Sequence, residues 1–362
     1  MSMESNEKNV VAVIMAGGAG TRFWPLSTEA RPKQFLHLFD DRSLLQQSFD
    51  RIAGLLPPQR VLILTNAAYV PLVQEQLPAV PAENIIGEPA RRDTAAAVTL
   101  GAALCRKRYG NAVIVTLTAD HMIEPIPLFH RTLLSAVRSA RSSGALYTFG
   151  IPPTYPATGY GYLELGRKVA QDDGIEHFQL LRFKEKPDLE TARRYLASNG
   201  FFWNSGMFVW TAEAILEELE RRLPKHLENL ARACEDDGTP QWPKALKAGF
   251  DSLETISIDF AVMEKARDVR CVASTFFWTD VGGWLALRDF LPSDGNGNSY
   301  RGKITTLHAG DNVVFADDPE EEVMLIGVND LIIVRTEKRT LVVQKDHTEL
   351  VKRLLQKRED LK

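Results

Sequence analysis

The sequence has few of the features that mark secreted, disulfide-rich or membrane proteins. Its 362 residues include only three cysteines, which are odd in number and widely separated: Cys105, Cys234 and Cys271. This spacing excludes a disulfide framework and a cysteine-based zinc pattern, and it favours reduced thiols. No apolar run approaches the roughly 18 residues that a membrane-spanning helix needs. The N-terminus MSMESNEKNV is polar and lacks the apolar core of a signal peptide. A cytoplasmic location is therefore expected.

A large excess of charge of one sign is also absent. The net charge is −4, from 43 basic and 47 acidic side chains, so neither nucleic acid nor an anionic membrane is expected as a partner. Any group that binds an anion must therefore lie in a local cluster. The length and the 44% hydrophobic content are enough for a large core and predict more than one domain.

What is present is a glycine-rich turn directly after an apolar segment. Residues 10–15 read as a buried strand, and residues 17–22, GGAGTR, follow it. Glycines allow the backbone to approach a ligand closely, and such a turn directs amide N–H groups at an anion. Arg22 and Lys33 add two cations. Together these features predict a polyphosphate site. A dinucleotide fingerprint lacks its last glycine here and a P-loop does not fit, while a turn without a ligand remains the alternative.

Strand and helix signals alternate over the first 290 residues. Ser43 and Gln46 fit a capping box ahead of a helix. This alternation predicts a mainly parallel sheet covered by helices, with ligands at the carboxyl ends of its strands. The clearest predicted elements are strands at 61–65 and 113–117 and helices at 94–108 and 129–142. Asp93 and Thr94, where the 94–108 helix begins, are candidates for its N-cap.

The pattern changes near residue 290. A turn-rich joint at 292–298 precedes short β-type runs about ten residues apart, which predict a small all-β unit. These runs are 303–307, 312–315, 322–326, 331–335 and 340–344, and a closing helix is predicted at 347–357. We therefore predict two domains, residues 1–290 and 291–362.

GGAGTRFWPLS followed by RPKQF resembles the signature of sugar nucleotidyltransferases, and specifically of mannose-1-phosphate guanylyltransferases. The resemblance extends to about residue 350. It implies an α/β fold, a mainly parallel Rossmann-like sheet covered by helices, with a small C-terminal β-helix-like unit. It also implies a reaction of GTP with mannose 1-phosphate, dependent on Mg²⁺. The chain ends before the isomerase domain of some relatives, so no isomerase activity is expected, and a homodimer is left open. The alternatives are another sugar 1-phosphate, such as a heptose or glucose derivative, another nucleotide, or a non-catalytic regulatory homologue.

The same resemblance assigns roles to single residues. Asp120 in LTADHMI and Asp280 in FFWTDVGGW are similar to metal-binding aspartates, although either could cap a turn. Lys186 in FKEKP implies contact with the sugar phosphate, and a solvated loop is the alternative. The implied nucleotide-binding residues are Gly17, Gly18, Gly20, Thr21, Arg22, Glu88 and Arg92; the implied catalytic residues are Arg22, Lys33 and Lys186; and the implied sugar-binding residues are Gly159, Glu164 and Asn204. The segment 257–265, SIDFAVMEK, resembles a helix near the sugar pocket, but a buried helix with a polar end explains its residues equally well.

Overall fold

The structure is a computed structural model that describes residues 9–18 and 21–358, without the side chain of Thr21. The predicted alternation of strands and helices is confirmed. The strands up to residue 290 are β1 (Val10–Ala16), β2 (Val61–Asn66), β3 (Ile85–Glu88), β4 (Val113–Thr118), β5 (Met122–Glu124), β6 (Leu146–Ile151), β7 (Tyr162–Asp172), β8 (Ile175–Lys184), β9 (Phe201–Thr211), β10 (Val269–Ala273) and β11 (Phe277–Thr279). The helices there are α1 (Leu44–Ala53), α2 (Val70–Gln76), α3 (Asp93–Tyr109), α4 (Ile126–Ser143), α5 (Leu189–Ala197), α6 (Ala212–Arg222), α7 (Pro224–Glu235) and α8 (Trp242–Asp251).

Nine of these strands form one sheet in the order β3-β2-β1-β4-β9-β6-β10-β8-β7. The strands β3, β2, β1 and β4 are parallel, and Ile14 on β1 lies between Ile63 on β2 and Leu117 on β4. Beyond β4 the sheet is mixed, because β9 runs antiparallel to both of its neighbours and β7 and β8 form a long hairpin. The hairpin turns at Asp173 and Gly174, which both have positive φ, as a tight two-residue turn requires.

The helix α3 is buried along most of its length, from Ala95 to Cys105. Small side chains let it lie close to the sheet. At Gly101 a Cβ would come within 3.2 Å of Val13 Cγ1, so this position fixes the closest approach of α3 to β1. The three cysteines are free and buried.

The C-terminal strands stack into rungs, as predicted. They are β12 (Ser299–Arg301), β13 (Lys303–Leu307), β14 (Val313–Ala316), β15 (Glu322–Ile326), β16 (Leu331–Arg335) and β17 (Thr340–Gln344), and the helix α9 (Leu350–Lys357) follows. β12, β14 and β16 pair in parallel, as do β13 and β15, whereas β17 is antiparallel to β16. Buried asparagines link the rungs: Asn312 Nδ2 donates to Asn298 Oδ1 over 2.8 Å, and Asn312 Oδ1 accepts from the backbone of Leu331.

The described chain divides into two compact units that are not contiguous in sequence. The first comprises the chain up to Gly17 with residues 48–119 and 123–278; the second comprises residues 18–47, 120–122 and the chain from Thr279 onward. The domain boundary at 290/291 remains a prediction. Within the described ranges, no helix is long and apolar enough to cross a membrane.

Candidate active-site residues

In the second unit, the lysine of the RPKQF segment lies among acidic groups. We call Lys33, Asp120, His121 and Asp280 the Lys33 cluster. Lys33 Nζ lies 3.0 Å from Asp120 Oδ2 and also donates to the backbone carbonyl of Asp280. The lysine side chain is 10% exposed and the aspartate 40% exposed, so the pair is largely shielded but open on the aspartate side.

The charge state of Asp120 follows from its neighbours. Burial by itself would raise the pKa of its carboxyl, but the charges of Lys33 and His121 and the hydrogen bond from Lys33 outweigh burial and hold the pKa below its ordinary value. His121 Nε2 lies 3.9 Å from Asp120 Oδ1. The carboxylate is therefore ionised at neutral pH and available to a cation.

Aromatic packing holds the segments that carry this cluster. Phe23 and Trp284 meet edge to face at 5.1 Å, and Trp284 Nε1 donates to the backbone carbonyl of Trp24 over 3.1 Å. Lys33 Nζ lies 6.0 Å from the centre of the Phe23 ring. The FWP and GGW segments of the sequence are thus joined in one hydrophobic cluster of this unit, which fixes the position of the lysine.

The glycine-rich turn is only partly described. Gly20 lies outside the described residues, and so does the side chain of Thr21. Gly18 accepts a hydrogen bond at its carbonyl from Gln34 Nε2 over 3.2 Å, which ties the turn to the residue after Lys33. Arg22 is exposed and donates to the carbonyl of Gly282 over 3.4 Å, so its guanidinium belongs to the same unit as the Lys33 cluster.

In the first unit, a second set of polar side chains converges. We call Thr148, Glu185, Lys186, Asn204 and Asp259 the Asn204 cluster. Asn204 lies on β9 and receives a hydrogen bond at Oδ1 from Thr148 Oγ1 on β6 over 2.8 Å. Asn204 Nδ2 donates to Asp259 Oδ1 over 3.1 Å. The side chain of Lys186 is 62% exposed, and its Nζ pairs with Glu185 Oε1 at 2.9 Å.

Backbone geometry supports this cluster. Lys186 has φ 43°, a left-handed conformation that a non-glycine residue keeps only where its surroundings demand it. A Cβ at Gly161 would lie 2.5 Å from Glu185 Oε2 and 3.3 Å from the Asn204 Cβ, so the absence of a side chain there lets the cluster close.

Two predicted sugar-binding residues lie differently. Gly159 is exposed, and a Cβ there would meet nothing within 4 Å. Glu164 on β7 pairs with Arg182 on β8 at 2.9 Å. Asn204 therefore bonds to Asp259 and Lys186 to Glu185, and the charge of Glu185 acts on Asp259, while Glu164 has an ion-pair partner of its own.

The two predicted nucleotide-binding residues of the GEPARRDT segment, Glu88 and Arg92, have different surroundings. Glu88, at the end of β3, has a carboxyl whose Oε2 would lie 3.6 Å from a Cβ at Gly17, so it is near the start of the glycine-rich turn. Burial raises the pKa of Glu88 to about 8. Arg92 instead donates to the carbonyls of Phe250 and Asp251 at the end of α8, each over 3.1 Å. Its donors neutralise a helix C-terminus.

Sequence reasoning assigned no role to three carboxylates near the sugar motifs, Glu185, Asp259 and Glu264, although the resemblance implied that the segment 257–265 lies near the sugar pocket. Burial and the neighbouring Glu185 raise the pKa of Asp259 to about 7. Glu264 Oε1 accepts from the backbone N–H of Glu185 over 3.2 Å. The available signal was the pair of acidic residues within the segment 257–265, but no periodicity in the sequence shows that they reach the FKEKP loop.

Comparison with known proteins identifies the family. A model described as nucleotidyl transferase matches residues 11–296, and one described as a mannose-phosphate isomerase/GMP-like β-helix domain matches residues 302–357. The chain belongs to the nucleotidyl transferase family. Its relatives include mannose-1-phosphate guanylyltransferases of Escherichia coli, 39% identical, and Klebsiella pneumoniae, 38% identical; each alignment covers 96% of this chain and 73% of the relative.

A solved structure resembles this nucleotidyl transferase over nearly its whole length. The crystal structure from Thermus thermophilus, described as a mannose-1-phosphate geranyltransferase, is 32% identical and superposes with a TM-score of 0.86. The match covers 97% of this chain and 99% of that one. The predicted family and fold class are confirmed, including the C-terminal β-helix-like unit.

Proposed function

We propose that this nucleotidyl transferase is a mannose-1-phosphate guanylyltransferase, which converts GTP and α-D-mannose 1-phosphate to GDP-mannose and diphosphate. The observation that carries this proposal is its similarity, across 96% of the chain, to relatives of that activity. An oxygen of the sugar phosphate would attack the α-phosphorus of GTP directly, and diphosphate would leave. Such a transfer depends on positioning and charge neutralisation and needs no covalent nucleophile.

The Lys33 cluster is suited to the triphosphate. In this proposal Arg22 and Lys33 stabilise the charge of the triphosphate and of the leaving diphosphate. The Lys33 ammonium already binds one carboxylate and one carbonyl, so phosphate oxygens would exchange for acceptors of the same kind. The backbone of Gly17, Gly18, Gly20 and Thr21 would line the phosphates.

Asp120 and Asp280 would hold Mg²⁺. The fit rests on the donor chemistry, because carboxylate oxygens are ligands that Mg²⁺ prefers. Asp120 contacts the Lys33 ammonium through its carboxylate and Asp280 contacts it through its backbone carbonyl, so both residues lie beside one cation. The low pKa of Asp120 keeps its carboxylate ionised. In the described part of the chain, no group of three or more His, Cys, Asp or Glu side chains is arranged to hold a metal ion. When bound, Mg²⁺ would neutralise triphosphate charge.

The Asn204 cluster is suited to a sugar phosphate. We assign Lys186 to the phosphate of mannose 1-phosphate, because its ammonium is mostly exposed and pairs with the neighbouring Glu185 alone among the acidic side chains that the structure describes. Asn204, Glu164 and the backbone of Gly159 are assigned to sugar hydroxyls. Carboxylates and amides of this kind accept from and donate to hydroxyls in fixed directions, which is how a polyol is recognised.

Glu88 is assigned to the guanine base. Guanine presents N–H donors at N1 and N2 that an ionised carboxylate can accept. Arg92 is assigned to nucleotide binding through the loop it anchors on α8, and direct contact with phosphate would require it to leave those carbonyls.

The test is diphosphate release in the presence of Mg²⁺, with GTP, ATP, UTP and dTTP each paired with the 1-phosphates of mannose, glucose and heptose. We expect release with GTP and mannose 1-phosphate far above all other pairs. Release with a different pair would move the specificity to another sugar or base. No release with any pair from folded protein would favour a regulatory homologue.

A further inference from the structure

The segment that begins at Asp259 is a π-helical turn, Asp259–Met263. The backbone N–H of Glu264 donates to the carbonyl of Asp259 over 2.9 Å, which closes a five-residue turn. In an α-helix, side chains five residues apart are separated by roughly 140° around the axis, whereas the π turn brings them to the same side. Single π turns occur frequently at functional sites.

The two carboxylates bind segments that belong to different strands. Asp259 accepts from Asn204 on β9, and Glu264 accepts from the backbone of Glu185 directly after β8. The π turn therefore holds the sugar-side asparagine and the loop of Lys186 from one place. Phe260, the next residue, is 46% exposed, so the turn is not built to bury its apolar side chain.

The hydrogen bonds of Asn204 can be counted atom by atom. Oδ1 lies 2.8 Å from Thr148 Oγ1, whose single hydroxyl hydrogen is shared with the carbonyl of Met207 at 3.2 Å, and it accepts from the backbone N–H of Gly206 over 3.3 Å. Nδ2 has two N–H donors, and one goes to Asp259. Among the described residues, none accepts the second N–H. Because the backbone N–H of Gly206 can only donate, Oδ1 must face it, and Nδ2 is thereby directed at Asp259, whose ionised form can only accept.

We propose that Asp259 is a positioning residue for the sugar phosphate: it locks the Asn204 carboxamide and directs its second N–H to a hydroxyl of the sugar. This inference rests on the proposed function. Without the acceptor at 259, the carboxamide loses the contact that holds Nδ2, and the free N–H is no longer aimed. Asp259 itself need not touch the substrate.

The test is a double-mutant cycle with Asp259→Leu and Asn204→Ala, read as KM for mannose 1-phosphate and KM for GTP. Asp259→Leu keeps the approximate volume and removes the acceptor. We expect it to raise KM for mannose 1-phosphate about tenfold, as for one lost hydrogen bond, and to leave KM for GTP within about twofold. Asp259→Asn retains an acceptor oxygen and should restore KM to within about threefold of wild type.

The decisive readout is whether the two substitutions have additive effects on the free energy that corresponds to KM for mannose 1-phosphate. If Asp259 acts through Asn204, the double variant should have the same KM for mannose 1-phosphate as Asn204→Ala alone. Multiplicative effects, an unchanged KM in Asp259→Leu, or an equal rise in KM for GTP would each overturn the inference. Asp268→Asn is the matched control, since Asp268 forms an ion pair with Arg270 in the same unit, at 3.1 Å, and should leave both KM values unchanged.

Wild-type turnover separates this inference from the proposed function. If the wild type does not use mannose 1-phosphate, the proposed function fails. If it does and the cycle is additive, only the role of Asp259 fails. Thermal melts of every variant accompany the kinetics. Should Asp259→Leu not fold, Asp259→Ala replaces it in the same cycle; if neither variant folds, Asp259 serves the core of the unit and the inference is overturned.

Discussion

Replacing Asp120 by Asn removes one negative charge from the Lys33 cluster and keeps the shape of the side chain. We expect the protein to stay folded and to lose most of its Mg²⁺-dependent turnover. The reason is that the carboxylate has two partners at different times: the Lys33 ammonium in the free protein, at 3.0 Å, and in our proposal the metal during turnover.

The cost to stability follows from exposure. Breaking a fully buried ion pair costs about 3–5 kcal/mol. The Asp120 side chain is 40% exposed, and Lys33 keeps the carbonyl of Asp280, so solvent screening reduces the expected loss to about 1–2 kcal/mol. Because the pKa of Asp120 is lowered in the folded state, this contribution is present above about pH 4, the pKa of an unfolded aspartate, and is lost as pH falls through the folded pKa.

The cost to catalysis should be much larger. A metal-binding carboxylate acts on charge that develops in the transition state, for which losses of about 100-fold or more are typical. The assay is diphosphate release across a Mg²⁺ titration, beside thermal denaturation of the same samples. Asp311→Asn is the control, because Asp311 also forms an ion pair in this unit, 2.8 Å from Arg288. Turnover by Asp120→Asn with a normal Mg²⁺ dependence would refute the metal assignment.

Three further changes test other parts of the first unit. Gly161→Ala would place a Cβ 2.5 Å from Glu185 Oε2, so KM for mannose 1-phosphate should rise at least severalfold, whereas at Gly200 a Cβ meets only one backbone atom at 3.9 Å and Gly200→Ala should leave that KM unchanged. His177 is fully buried and its pKa is lowered to about 4, so the unfolded state binds more protons than the folded state between pH 6.5 and 4. Its contribution to the free energy of unfolding, about 3 kcal/mol, should be lost as pH falls through that range. An equal pH dependence of the free energy of unfolding in wild type and His177→Gln would contradict this. Glu88 has a pKa of about 8, so at lower pH only a minor fraction of it is ionised. If guanine requires the ionised form, GTP affinity measured by calorimetry should increase about tenfold for each unit that the pH is raised toward 8 in the wild type, relative to Glu88→Gln, and equal pH dependence in the two would exclude the contact.

Much of the fold could be predicted because a strand that is buried on both faces appears in the sequence as a continuous apolar run. The runs at 61–65 and 113–117 are continuous and apolar, and the structure has strands there. The hairpin of β7 and β8 escapes prediction, since its strands carry many exposed polar residues and the pattern is weak. The available signal was Asp173-Gly174, a pair typical of a tight hairpin turn.

The candidate site was predictable to a different degree in each unit. Lys33 and Asp280 are 247 residues apart, yet both lie in long motifs, so the resemblance assigns them without any knowledge of the geometry. Arg92 is assigned from the same kind of motif, but its guanidinium binds the end of α8. A motif specifies which residue types occur together. It does not specify which of several cations in it faces a ligand, because that depends on which acceptor lies closest in space.

Asp259 and Glu264 show why the roles of single residues can escape sequence reasoning even where their segment, 257–265, is singled out. Periodicity assigns faces by assuming 3.6 residues per turn, and on that assumption these two side chains point in different directions. The π turn changes the angle per residue over a single turn, and no composition signal announces it. The same departure from regular geometry is what lets one short segment bind both Asn204 and the backbone of Glu185. The π turn that lets both carboxylates bind their partners is therefore also the reason that the 3.6-residue period does not predict them. Only the contacts with other strands in the structure identify them.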